Sequence, residues 1–169
     1  MSESDAFVLL PFLLVAHGVV GALDTLVNHE FVEGLRHRKA ARSELVLHSV
    51  REAIYAMLFL GFAWFAWLGS FAWVIAVLLG AEVLVTLIDE AIENRTRVLP
   101  QNERVLHVLL TLNLGVLIAL FAPLLLDWSE HETALAPAHH GWVSWALSVL
   151  GIASALWSIR DLLAVRALK

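Results

Sequence analysis

The chain has 169 residues, of which 60% are hydrophobic and 16% charged, with a mean hydropathy of +0.78. A soluble domain of this length is about half apolar and about a quarter charged, and a small globule cannot hide the difference from water. A net charge of −5 without a long basic run excludes a nucleic-acid binder, and the lack of cysteine excludes disulfides, thiolate metal sites and iron–sulfur clusters, which leaves a single-domain integral membrane protein.

Five apolar stretches follow one another, at 6–27, 45–67, 71–92, 105–126 and 142–165. Each has about 20 residues or more, enough to cross a hydrocarbon layer of about 30 Å as a helix. The acidic start, Met-Ser-Glu-Ser-Asp, lacks the basic segment of a secretory leader, so the first stretch is predicted as a membrane helix. Connections fall at 28–44, 68–70, 93–104 and 127–141. The predicted fold is all-α with five transmembrane helices. Two helical hairpins, 6–67 and 71–126, form a four-helix bundle, and the fifth helix is added to it.

All eleven lysines and arginines lie at one set of helix ends, around 36–51, 95–104 and 160–169. The positive-inside rule then places the N-terminus outside and the C-terminus inside, in a bacterial-type inner membrane. Trp64, Trp67, Trp73, Trp128, Trp142 and Trp145 mark the opposite ends, where an interfacial aromatic belt belongs.

The hairpins resemble each other. Glu44-Leu-Val-Leu-His48 matches Glu103-Arg-Val-Leu-His107, and at an offset of 65 His17 lies over Glu82, Asp24 over Asp89 and Asn28 over Glu93. Two copies related by an axis along the membrane normal are expected.

Charged groups inside a membrane segment are costly and functional by default. At about 100° per residue they fall on stripes. One carries Glu82, Asp89 and Glu93; one His17, Asp24 and Asn28; one Glu44, His48, Arg51 and Tyr55, with Glu52 at its edge; and one Glu103, His107 and Thr111. Glu90 points away and is expected to be solvated. Four helices thus bring carboxylates and imidazoles to one layer near the cytoplasmic face. Close carboxylates repel, so protons, arginines or cations must balance them.

A Glu and a His at i, i+4 share one helix face and can reach one ion. The order Asp24, Glu44/His48, Asp89 or Glu93, Glu103/His107 resembles the di-iron and di-manganese carboxylate bundles, the ferritin-like proteins. These carry one acid on each of two helices and a Glu-x-x-His on each of the others. The resemblance covers the first four helices, with Glu-x-x-x-His in place of Glu-x-x-His. It implies two metal ions, iron first and manganese or zinc next, with Glu44, His48, Glu103 and His107 as ligands. Asp24, Asp89 and Glu93 would be bridging or terminal carboxylates. Tyr55, two turns from His48 on the same stripe, reads either as a relay for electrons or protons or as a packed tyrosine with a satisfied hydroxyl. Membrane members of that class oxidise lipid-soluble substrates such as quinols with dioxygen. The implied activity is thus an oxidase or monooxygenase acting on a quinone-like molecule or a membrane lipid.

Other balances stay open. His48 and His107 could ligate a haem, or Arg51, Arg95, Arg97 and Arg104 could close a structural ion-pair network. A zinc lipid hydrolase, a metal-ion carrier or sensor, and a structural subunit of a larger complex are further readings. His29 and Glu30 lie off the Asp24 stripe and join the site only if the first helix unwinds. His17 and Glu82 are expected to pair with each other. Glu130, His131, Glu132, His139 and His140 read as a solvated loop. The fifth helix is expected to hold no buried acid or histidine. Its small-residue stripe, Ser144, Ser148, Gly151, Ala155 and Ser158, would dock on the bundle or form a homodimer.

Overall fold

A computed structural model describes residues 3–168, with side chains from residue 7. Helix α1 spans Glu3–Asp24 and runs on as a π-helical segment, Thr25–Val32. Two 3₁₀ turns, Leu35–His37 and Lys39–Ala41, lead into α2, Arg42–Trp64. A short strand β1, Phe65–Leu68, precedes α3, Ala72–Thr96, and α4 spans Gln101–Ser129. Strand β2, Ala134–Pro137, then leads to α5, Trp142–Ala167. All five helices are long and apolar enough to cross a membrane.

Around the bundle α1 packs on α4, α4 on α3, α3 on α2, and α5 on both α2 and α1. The α2–α5 seam is the most extensive. There Ser49 Oγ donates to the Ser158 carbonyl at 3.0 Å, and Ser158 Oγ donates back to the Ser49 carbonyl at 2.7 Å. Trp64 Nε1 donates to Ser148 Oγ at 2.8 Å. A Cβ on Gly151 would lie 2.6 Å from Leu60 Cγ, so only glycine permits this approach. The small-residue stripe of α5 therefore faces α2.

Two helix ends differ in kind from the sequence reading. The second helix stops at Trp64, not Trp67. Residues Phe65–Leu68 pair antiparallel with Ala134–Pro137, Phe65 opposite Pro137 and Leu68 opposite Ala134. This run is rich in aromatics, which favour strands, and its partner comes from the loop expected to be free. The first helix does not end near Val27 but widens after Asp24. Its π-type bond from Glu33 N–H to the Asn28 carbonyl spans five residues at 2.8 Å. Gly34, with φ +57°, then ends the segment in the left-handed conformation that glycine adopts without strain.

The core divides along the bundle. At the tryptophan end Leu10, Leu14, Phe59, Phe62, Leu117, Phe121 and Leu147 pack a dry apolar centre. At the basic end a second small cluster, Leu35, Ala41, Leu45 and Val165, ties the 3₁₀ turns to α2 and α5. Between the two lies a buried polar layer.

A candidate metal centre

The polar layer contains Asp24, Asn28, His29, Glu44, His48, Asp89, Glu93 and Glu103, all buried, with His107 half-buried. Two overlapping groups offer donor atoms within 4.8 Å of one another: Asp24, His29, Glu103 and His107, and His29, Glu44, His48 and Glu93. Each combines one Glu-x-x-x-His pair with an acid from the helix packed beside it, α4 with α1 and α2 with α3. A further group, Glu90, Glu93 and His107, lies at the edge.

One type of contact occurs twice. His107 Nε2 lies 3.2 Å from Asp24 Oδ2, and His48 Nε2 lies 3.2 Å from Asp89 Oδ2. Asp89 differs from Asp24 in its other partner. It accepts from Arg51 Nη1 at 2.8 Å and lies outside both donor groups.

His29 belongs to both groups, although α-helical spacing would turn it about 140° from Asp24. The π segment accounts for this. With bonds from i to i+5, residues five apart come toward one face. His29 Nε2 lies 3.4 Å from Asp24 Oδ2 and 3.2 Å from Glu103 Oε1, and its ring stands 4.2 Å from that of His48. Neither nitrogen of His29 is aligned for a hydrogen bond, nor are His48 Nε2 and Glu93 Oε2. The two groups thus place donor atoms of buried carboxylates and imidazoles close enough to one another to reach one ion. Glu30 does not join them. It pairs outward with Arg36 at 3.0 Å and Arg160 at 2.6 Å.

One cation is supplied by the chain. Arg97, just beyond α3, turns back so that Nη2 lies 2.7 Å from Glu44, 3.2 Å from Glu93 and 2.5 Å from Glu103. Burial works against its charge, but hydrogen bonds to Glu103 and Glu44 outweigh this and hold the guanidinium protonated more firmly than usual. Arg104, by contrast, is exposed.

Deeper in the bundle His17 and Glu82 do not pair. Asn113 Nδ2 lies 3.0 Å from His17 Nδ1, while Glu82 accepts from Arg51 Nε at 3.1 Å. A nearby arginine satisfies a carboxylate better than a neutral imidazole does. Tyr55 stacks on His17 with centroids 4.5 Å apart, and its buried hydroxyl has no hydrogen-bond partner. It stands between two cavities. One, of about 40 Å³, is lined by Glu82, Asp89, Glu93 and His107. The other, of about 170 Å³, lies between α1 and α5 and reaches His29 and His48.

Helix α5 departs from expectation, because Asp161 is buried and its Oδ1 lacks a hydrogen-bond partner. It sits beside Arg160, at 3.3 Å, while Arg160 also covers Trp157 at 4.3 Å. A lone acid next to an arginine near a helix end reads as solvated, and only the α2–α5 seam buries it. Glu90 is exposed as expected.

At the tryptophan end His140 is not part of a solvated loop. Its ring stacks on Phe62 at 5.4 Å, and Nε2 lies 3.2 Å from the Phe62 carbonyl. No family model, curated protein or solved structure matches the chain, so the likeness to di-metal bundles rests on these side-chain clusters alone.

Proposed function

We propose that this chain is a multi-pass inner-membrane metalloprotein that holds two metal ions near the cytoplasmic end of its bundle and oxidises a lipid-soluble substrate. One observation carries the reading: two overlapping sets of carboxylate and imidazole donors share His29 and include buried nitrogens without hydrogen-bond partners. The mixture of oxygen and nitrogen donors suits iron first, and manganese or zinc next. Bound there, a pair of such ions supplies redox and Lewis-acid chemistry. The chain's own part is orientation and proton handling. Asp89 accepts from Arg51 and lies 3.2 Å from His48 Nε2, so it can hold a proton beside the donor groups. Tyr55 offers a hydroxyl between the two cavities, where it can hold a proton.

Elemental analysis with an optical spectrum on detergent-purified protein tests this. The expected result is about two iron or manganese ions per chain, lost in Glu44→Ala and His107→Ala. A Soret band moves the site to haem. Uptake of the ion into liposomes without substrate turnover marks a carrier. Absence of both metal and chromophore refutes the metal reading.

Arg97 favours a second reading. Its contacts with three carboxylates would lock α2, α3 and α4 together as a structural ion-pair network. That reading predicts that Glu44→Gln lowers stability with no bound metal to lose.

A further inference from the structure

We infer that the cavity between α1 and α5 binds a lipid-soluble molecule whose head is one uncharged hydroxylated ring and whose tail leaves between those helices. The inference deepens the proposed oxidase, on which it rests for the fate of the bound head, while binding itself requires no metal. Size sets the head. The volume is about 170 Å³, and an engineered apolar cavity of about 150 Å³ holds one benzene.

The walls agree with a ring. His17, Tyr55, Phe59 and Trp157 line the cavity, with His29 and His48 on its floor. Aromatic walls offer stacked and edge-on contacts to a flat guest. The rim is apolar and open, since Ala22, Leu26 and Ala153 are all exposed there. In a membrane that rim faces lipid, so a hydrocarbon tail leaves the cavity without entering water.

The polar floor sets the head's chemistry. Tyr55 is 5% exposed, and its hydroxyl has no partner among the described residues. A ring hydroxyl both donates and accepts, so it can satisfy that phenol while His29 stays with the donor groups. Asp24, Arg51 and Glu52 also line the cavity, and Arg51 is already held by Glu82 and Asp89, so an anionic head such as a fatty acid carboxylate would meet like charge with no free arginine to offset it.

The test uses full-length protein in detergent, once stripped by chelator and once loaded with iron(II) under anaerobic conditions. Three probes are titrated: 4-decylphenol, decylbenzene (ring without hydroxyl) and 1-decanol (hydroxyl without ring). Binding is read as a rise in thermal midpoint, which follows mass action. The phenol is expected to stabilise both forms, and each control much less. Tyr55→Phe should weaken phenol binding about fivefold. Gly21→Leu should abolish it, because a Cβ there meets only Leu110 Cδ2, at 4.0 Å, and the side chain can grow into the cavity. Ala153→Trp, at the exposed rim, blocks the same space without disturbing the core. Equal shifts with all three probes, a shift with a control alone, no shift, or phenol binding undiminished in both filled variants overturns the inference. Phenol binding by a protein that takes up no metal refutes the metal centre alone. Metal uptake without phenol binding refutes this inference alone.

Discussion

Arg97 and His29 meet at Glu103, one as a built-in cation and one as a candidate donor. Removing the guanidinium leaves Glu44, Glu93 and Glu103 buried beside one another. Arg97→Gln is therefore expected to destabilise chelator-treated protein by about 3–5 kcal/mol, the usual cost of breaking a buried pair. Added metal should restore the loss, whereas a purely structural network would show no recovery in a denaturant or thermal titration. His29→Ala should lower metal content as far as His107→Ala does, since His29 serves both donor groups. The Glu-x-x-x-His pairs were legible because helical spacing alone puts their side chains together. His29 was legible only as a ligand conditional on the first helix unwinding, because its place depends on a backbone widening that no residue type announces. Asp161 was missed for another reason: burial of one face of α5 is a property of the partner helix.

At the level of elements, the π segment decides whether an imidazole reaches Asp24. Deleting Val27 would let the segment close to an α-helix with His29 four residues from Asp24, about 40° away, and bound metal should survive. Inserting one alanine after Val27 would set the two six apart, about 120° away in an α-helix, and metal should be lost with helical content unchanged by circular dichroism. At the other end, β1 and β2 close the bundle under the Phe62–His140 stack. Burial pulls the His140 imidazole below its ordinary 6.5, helped by neighbouring His139 and only partly opposed by the Phe62 carbonyl. Its neutral form is thus favoured in the folded state. Stability from this contact is full above about 6.5 and declines as pH falls, when the unfolded chain takes up the proton first. Wild-type protein should therefore lose more thermal midpoint than His140→Gln between neutral and mildly acidic pH. A loss of equal size in both would refute the assignment. Five helices and their order were legible from apolar run length, which the membrane dictates. The strand pair was not, because it joins two segments more than sixty residues apart.

For the whole molecule, the apolar half beneath the tryptophans supplies packing, the polar half gathers the buried acids and imidazoles, and α5 packs along α2. Gly151→Leu would drive a side chain into Leu60 and part this seam, costing about 1–3 kcal/mol by overpacking. Because the same seam buries Asp161 and forms one wall of the ring-lined cavity, the variant should also lose phenol binding, which thermal-shift titration would show. Arg97 has a further consequence in time. A chain is made from its N-terminus, so Glu44 and Glu93 are synthesised before Glu103 and His107. Arg97 follows Glu93 by four residues and precedes α4 entirely. The first three helices thus carry their own counter-charge from the moment they assemble. The nascent protein can wait in the bilayer with Glu44 and Glu93 already paired until α4 brings Glu103 to the same guanidinium.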